Sequence, residues 1–321
     1  LYELTMNGRA QTGLVACTAI ADYTDGKIKK HEFTRPEKEV DRIRHIEACD
    51  ANTSPIFLTY RRNQTIQELM DFWKKTQTPV YDFTGFHDVI HRVWLINDTH
   101  VIEQLETAFA QEVPALYIAD GHHRTESAVK VGQKKKETQP NAPETAEFNY
   151  FLSVIFPKEE LEILDYNRIL NVPIEADFFT RLEKIFTVEK VETGKPDQPK
   201  TFGMYIAGQW YQLTAKNSIL SDDPVDGLDV SLLQNHVFAD IFGIQDIRTD
   251  KRIDFVGGIR GMKELEQAVD SGEWTVAFSV YPTTMDDLLN VADAGKIMPP
   301  KSTWFEPKLL SGLFVHDLET K

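Results

Sequence analysis

Residues 115–132 read ALYIADGHHRTESAVKVG. The first five residues are an apolar, strand-sized run, and the pattern from His122 to Gly132 is helical. A short buried strand that runs straight into a helix is a unit of mixed α/β architecture. The junction between them is Asp120-Gly121-His122-His123-Arg124. A helix N-terminus offers unpaired N–H groups and the positive end of the helix dipole, which together favour an anion. Gly121 lets such an anion approach the backbone, and the Arg124 fork suits phosphate oxygens. Asp120 suits a metal ion or the proton of a substrate hydroxyl, and His122 and His123 can donate to phosphate or move protons near neutral pH. A purely structural reading makes Asp120 a helix cap and the two histidines satisfied polar residues. Adjacent histidines diverge on a helix and make a poor pair of ligands for one metal. Five such residues at one junction exceed what folding needs, so the functional reading is preferred.

Outward from this junction the elements stay mixed. Residues 12–23 are apolar and β-branched, Asp25-Gly26 is a hairpin signal, and 27–33 would be the returning strand. Thr34-Arg35-Pro36-Glu37 predicts a helix start, with Thr34 as cap and Glu37 completing a capping box. That helix would run to about Ala48 with Val40, Ile43 and Ile46 inward. Arg35, Lys38 and Arg42 share one of its faces, read first as a solvated face paired with Glu37 and Asp41. Strands are expected at 55–60, 80–83 and 90–96, with helices at 65–75 and 101–110. Residues 133–146 form a polar loop, and strands resume at 148–156 and 161–170. A hairpin at 202–206 and 210–214, and further short helices and strands, complete the chain. The fold class is α+β, that is, mixed α/β, and 321 residues suggest two domains, here 1–157 and 158–321.

The chain carries 35 Lys and Arg against 50 Asp and Glu, a formal net charge of −15. That balance disfavours DNA as the main partner, whereas one nucleotide needs only one positive pocket. No run approaches the roughly 20 apolar residues of a membrane span. The two cysteines, Cys17 and Cys49, are too few for a disulfide framework or a thiolate zinc site and read as reduced thiols of a cytoplasmic protein. In Lys301-Ser302-Thr303-Trp304, a lysine beside two hydroxyls suits phosphate and the indole could stack on a base. Taken by itself, that stretch is a strand edge.

The run Asp120–Arg124 resembles the phosphate-binding motif of the ParB/sulfiredoxin superfamily and is most similar to its free serine kinase branch. The whole chain resembles the domain of unknown function 1015 family. This rests on KKHEFTRPEKEVDR (29–42), YIADGHHRTESA (117–128), FNYFLSVIF (148–156), TDKRIDFVGGIRG (249–261) and MPPKSTWFEPKLLSG (298–312). The resemblance implies a ParB/sulfiredoxin-like nucleotide-binding domain followed by a second α/β domain. It also implies a longer chain, so that the opening Leu1-Tyr2-Glu3 would follow a missing N-terminal part. By that resemblance Gly121, His122, His123 and Arg124 bind phosphate, joined by Lys301, Ser302 and Thr303. Asp120 assists a metal or the transferring phosphoryl group, and Glu32, in the pair His31-Glu32, is the candidate base. Glu32 and Asp120 stand 88 positions apart, which requires an insertion between them, and a solvated Glu32 is the alternative.

The implied activity is a nucleotide-dependent phosphotransferase, a kinase acting on a small hydroxyl metabolite such as serine. Its cofactors would be ATP or ADP, with CTP as a further option, and Mg²⁺. The catalytic residues would be Glu32, Asp120 and His122, with Asp120 also at the metal. The alternative is a non-catalytic nucleotide-binding switch of the ParB type. A metal-dependent hydrolase on Asp120, His122 and His123 ranks last, for want of a third histidine at ligand spacing. A homodimer is an open expectation.

Overall fold

The computed structural model describes residues 1–319. In chain order the first part contains Tyr2–Met6 (β1), Arg9–Ala19 (β2), Ile20–Thr24 (α1), Ile28–Lys29 (β3), Pro36–Cys49 (α2), Ala51–Asn52 (β4) and Ile56–Tyr60 (β5). Gln64–Thr76 (α3), Tyr81–Thr84 (β6), Ile90–Val93 (β7), Thr99–Glu112 (α4), Leu116–Asp120 (β8), His122–Thr138 (α5) and Tyr150–Pro157 (β9) follow. The second part has Ile163–Leu164 (β10), Tyr166–Leu170 (β11), Phe178–Ile185 (α6), Phe186–Val191 (β12), Thr201–Ile206 (β13), Gln209–Ala215 (β14) and Asp229–Leu233 (α7). Ile253–Gly257 (β15), Met262–Asp270 (α8), Val276–Val280 (β16), Met285–Asp293 (α9), Trp304–Phe305 (β17) and His316–Asp317 (β18) close the chain. The architecture is mixed α/β. Among the described residues no helix is long and apolar enough to cross a membrane.

Two compact units result: Leu1–Leu161 together with the chain from Pro307 onward, and Glu162–Glu306. The first is built on an eight-stranded sheet in the order β3-β8-β5-β9-β2-β1-β7-β6. β3 runs parallel to β8, and β5 parallel to β9. Its core gathers Leu58, Tyr60, Ile118, Phe148, Phe151 and Ile155 with Ile66, Met70 and Trp73 from α3. The side chains of Asn63 and Asp98 cap α3 and α4 by accepting backbone N–H bonds, which fixes where both helices begin. The second unit is a six-stranded antiparallel sheet, β12-β14-β13-β16-β11-β15. The β13–β14 hairpin turns through Ala207 and Gly208, both at positive φ. Its core holds Leu170, Phe202, Met204, Leu213 and Phe278.

Several local expectations are corrected. Asp25-Gly26 ends a short helix instead of closing a hairpin, and the strand after it pairs in parallel with β8. Arg35, not Thr34, is the N-cap of α2, and no side chain caps it, so the expected capping box is absent. Val40 is exposed rather than inward. α5 continues to Thr138 through the first part of the expected loop, because Lys134 and Lys135 pair with Glu47 and Asp50. The closing segment, expected with the second half, belongs to the first unit: β18 pairs with β4, and Gly312 N–H donates to the Thr53 carbonyl.

Candidate phosphate-binding cleft

β8 delivers Asp120 at its C-terminal end, and the chain turns through Gly121 at φ +102° directly into α5. That left-handed conformation is one that residues with a Cβ avoid. A Cβ at Gly121 would also meet the Arg124 guanidinium at 3.0 Å. The turn therefore needs glycine on two counts. Gly121 has no side chain with which to cap α5, and its carbonyl receives the first helical bond, from Thr125 N–H at 2.9 Å. No side chain caps the start of α5, and the Asp120 carboxylate accepts the Gly121 N–H.

A cleft of about 490 Å³ lies over this turn, lined by Asp120 to Arg124, by Glu32, and by Glu37, Lys38, Asp41 and Arg42 of α2. Glu32 reaches it because β3 runs parallel to β8 and α2 packs along α5, where Lys130 pairs with Glu39 and Ser127 Oγ donates to the Glu39 carbonyl. Between Glu32 and Asp120 the chain passes through α2, β4, β5, α3, β6, β7 and α4. Lys38 and Arg42 are exposed and Arg42 pairs with Asp41 at 3.2 Å, as expected of a solvated face, and both also line the cleft. The lining carries four carboxylates against three Lys and Arg side chains, so it is mixed in charge and not simply basic.

The two histidines hold the loop before α2 onto α5. His122 Nε2 accepts the His31 backbone N–H at 3.4 Å, and His123 Nε2 accepts the Arg35 N–H at 3.0 Å. A neutral imidazole that accepts at Nε2 carries its proton on Nδ1. In His122 that nitrogen lies 3.7 Å from Glu32 Oε2. Burial, and then the neighbouring His31 and His123, hold His122 well below the usual histidine range, so it is neutral at pH 7. His31 is fully buried with its ring edge-on to His122 at 4.5 Å, and neither of its ring nitrogens has a hydrogen-bond partner. Burial pushes it down to about 4. The sequence pairs His31 with Glu32 but gives a role only to Glu32. The apolar strand context of Ile28 was the available signal for the burial of His31.

Asp120 and Arg124 are also engaged. Burial raises the Asp120 carboxyl, but the charges of Lys308 and Arg124 outweigh it and leave the group below the usual carboxylate range. Lys308 Nζ sits 3.1 Å from Asp120 Oδ2. Arg124 Nη1 donates to the Pro55 carbonyl at 2.7 Å, while Nε and Nη2 lie against Gly121. Among the described residues no three His, Cys, Asp or Glu side chains are grouped to hold a metal. A divalent ion at Asp120 would need further oxygens from a ligand.

Lys301, Ser302 and Thr303 belong to the second unit. Lys301 has φ +62°, its carbonyl accepts from Arg168 Nη2 at 3.1 Å, and its ammonium lies 5.3 Å from the Tyr166 ring. Ser302 is buried and donates to the Pro299 carbonyl at 2.6 Å. The Trp304 ring is occupied by Gly257 and by Tyr166, at 4.9 Å.

Comparison with solved structures finds "Free serine kinase in complex with AMP", at 12% identity and TM-score 0.44, covering 94% of this chain and 91% of that one. It also finds SbnI with a C-terminal truncation from Staphylococcus aureus, at 12% identity and TM-score 0.47, covering 92% and 85%. A conserved hypothetical protein from Pyrococcus furiosus is similar at 14% identity and TM-score 0.41, covering 94% and 93%. No curated protein matches the sequence. Residues 1–231 match the family described as "Protein of unknown function (DUF1015)", and the chain belongs to that family.

Proposed function

We propose that the cleft at the start of α5 binds the phosphates of a nucleotide and that the protein transfers a phosphoryl group to a small hydroxylated metabolite such as serine. The observation that carries this reading is one juxtaposition. Glu32 and the Gly121 turn, 88 positions apart in sequence, line the same cleft. The motif's similarity to the ParB/sulfiredoxin phosphate site supports it, as does the free serine kinase pattern of a carboxylate ahead of that site. ATP or ADP is the expected donor, with CTP the further option.

In this reading the N–H groups opening α5 and the Arg124 guanidinium face the transferred phosphates, where positioning and charge stabilisation do most of the work. Glu32 accepts the proton of the attacking hydroxyl. His122 lies beside Glu32, Nδ1 to Oε2 3.7 Å, and stays neutral near pH 7. Mg²⁺ would neutralise phosphate charge. The residues fit it only in part, with Asp120 as one carboxylate ligand and the remainder supplied by phosphate oxygens and water.

The test incubates the protein with Mg²⁺ and ATP or ADP and a panel of hydroxy amino acids, following products by phosphorus NMR. The reading expects a phosphorylated acceptor, with turnover sharply reduced in Asp120→Asn. No product, or unchanged turnover in that variant, contradicts it. Tight nucleotide binding without turnover would instead favour a ParB-type switch built on the same cleft.

A further inference from the structure

Lys308 lies 188 positions beyond Asp120 yet sits 3.1 Å from its carboxylate. The segment that carries it is fastened to the first unit along its length. Ser54 Oγ donates to Ser311 Oγ at 2.7 Å, and Gly312 N–H donates to the Thr53 carbonyl at 2.7 Å. The Phe314 ring packs edge-on against Tyr2 at 5.2 Å, β18 pairs with β4, and Leu318 is buried in the core. These ties already hold the segment in place. The Lys308 side chain stays 51% exposed, and an ion pair that open adds little to stability. The ties set the Lys308 ammonium beside the Asp120 carboxylate at the mouth of the Gly121 turn.

The cleft gives it a use. Four carboxylates face three Lys and Arg side chains there, and Arg124 is partly committed to the Pro55 carbonyl. A polyphosphate bearing three or four negative charges needs one more cation than the lining supplies. We propose that Lys308 is that cation: it binds the outer phosphate of a nucleoside triphosphate at the α5 turn, delivered in cis by the C-terminal segment. This rests on the phosphate-binding reading of the cleft and adds which phosphates are recognised and by what.

The experiment titrates AMP, ADP and ATP calorimetrically into the full chain, its Lys308→Met variant and its Lys308→Arg variant. Lys308→Met is expected to lose about tenfold in ATP affinity, the scale of one charge-assisted contact. Its AMP affinity should stay within about twofold, and Lys308→Arg should retain most of the ATP affinity. ATP binding unchanged in Lys308→Met overturns the inference and leaves the cleft reading standing. Equal losses for AMP and ATP also overturn it, since they mark a structural role. A wild-type protein that binds none of the three overturns both. If Lys308→Met fails to fold, Lys308→Gln, which also removes the charge, is titrated in its place: a selective loss of ATP affinity upholds the inference, and unchanged ATP affinity or equal losses for AMP and ATP overturn it.

Discussion

At Asp120–Arg124 the polar groups stand around an open cleft, whereas at Pro299–Trp304 the Lys301 carbonyl, the Ser302 hydroxyl and the Trp304 ring are engaged in packing. In the first unit the histidine nitrogens and the Arg124 fork brace a turn whose helix-start N–H groups have no cap. In the second, Ser302 is spent on the Pro299 carbonyl, the Lys301 carbonyl on Arg168, and Trp304 on Gly257. Both stretches cluster polar side chains, but of different kinds, Asp-Gly-His-His-Arg in one and Lys-Ser-Thr in the other. The backbone differs too: a strand that ends in a left-handed glycine before a long helix leaves the helix start without a side-chain cap, and an irregular turn closed onto a buried arginine does not. Clustered polar residues identify a site only when the backbone beside them has unspent hydrogen-bonding capacity.

The comparison breaks most visibly at Glu32. Glu32→Gln should lower turnover by about 10² to 10⁴, the usual worth of a general base, with ATP affinity within about twofold. A rate change below tenfold would make Glu32 a bystander in the cleft.

The two units also bury ionisable groups differently. Arg168 is held down only to about 10 and stays charged at every working pH, whereas His31 is held near 4 by burial. Above about pH 6.5 His31 is neutral in both folded and unfolded chains and costs nothing. Between about 6.5 and 4 the unfolded chain takes up a proton that the folded chain refuses. Stability therefore falls as pH drops through that window, by roughly 3 kcal/mol from this residue alone. The thermal midpoint measured from pH 7 to pH 4.5 should decline, and less steeply in His31→Gln. Identical slopes would remove His31 from the account.

Gly121→Ala comes next in size. Forcing a Cβ into the left-handed turn and against Arg124 costs about 1–2 kcal/mol of stability, which should appear as a lower thermal midpoint. An unchanged midpoint would mean that the turn tolerates a Cβ. The smallest effect belongs to the other site. Ser302→Ala should cost about 1 kcal/mol of stability, one buried hydrogen bond, and leave ATP affinity as it was. A selective loss of ATP affinity there would reverse the comparison.

What the sequence made legible follows from how local each signal is. The strand, glycine turn and helix at 116–132 depend on neighbours in the chain and could be read directly, whereas the last turns of α5, to Thr138, were read as loop. So could α3, whose Ile66, Met70 and Trp73 fall on one helical face. The Asp25-Gly26 hairpin failed because β3 finds its partner in β8, some 90 positions away, and no local pattern encodes that pairing. Lys38 and Arg42 were visible as a face, but nothing local told a cleft wall from solvent. Lys308 was beyond reach, because its position depends on the return of the chain to the first unit.

The central claim is that phosphate is held by the turn into α5. A crystal structure of the protein with a non-hydrolysable ATP analogue and Mg²⁺ tests it most directly. The account predicts phosphate oxygens within hydrogen-bonding distance of the backbone N–H groups at residues 122–124, beside Arg124 and Lys308 and within reach of Glu32. Phosphates seated at Lys301–Thr303 instead, or a nucleotide bound away from Gly121, would contradict it.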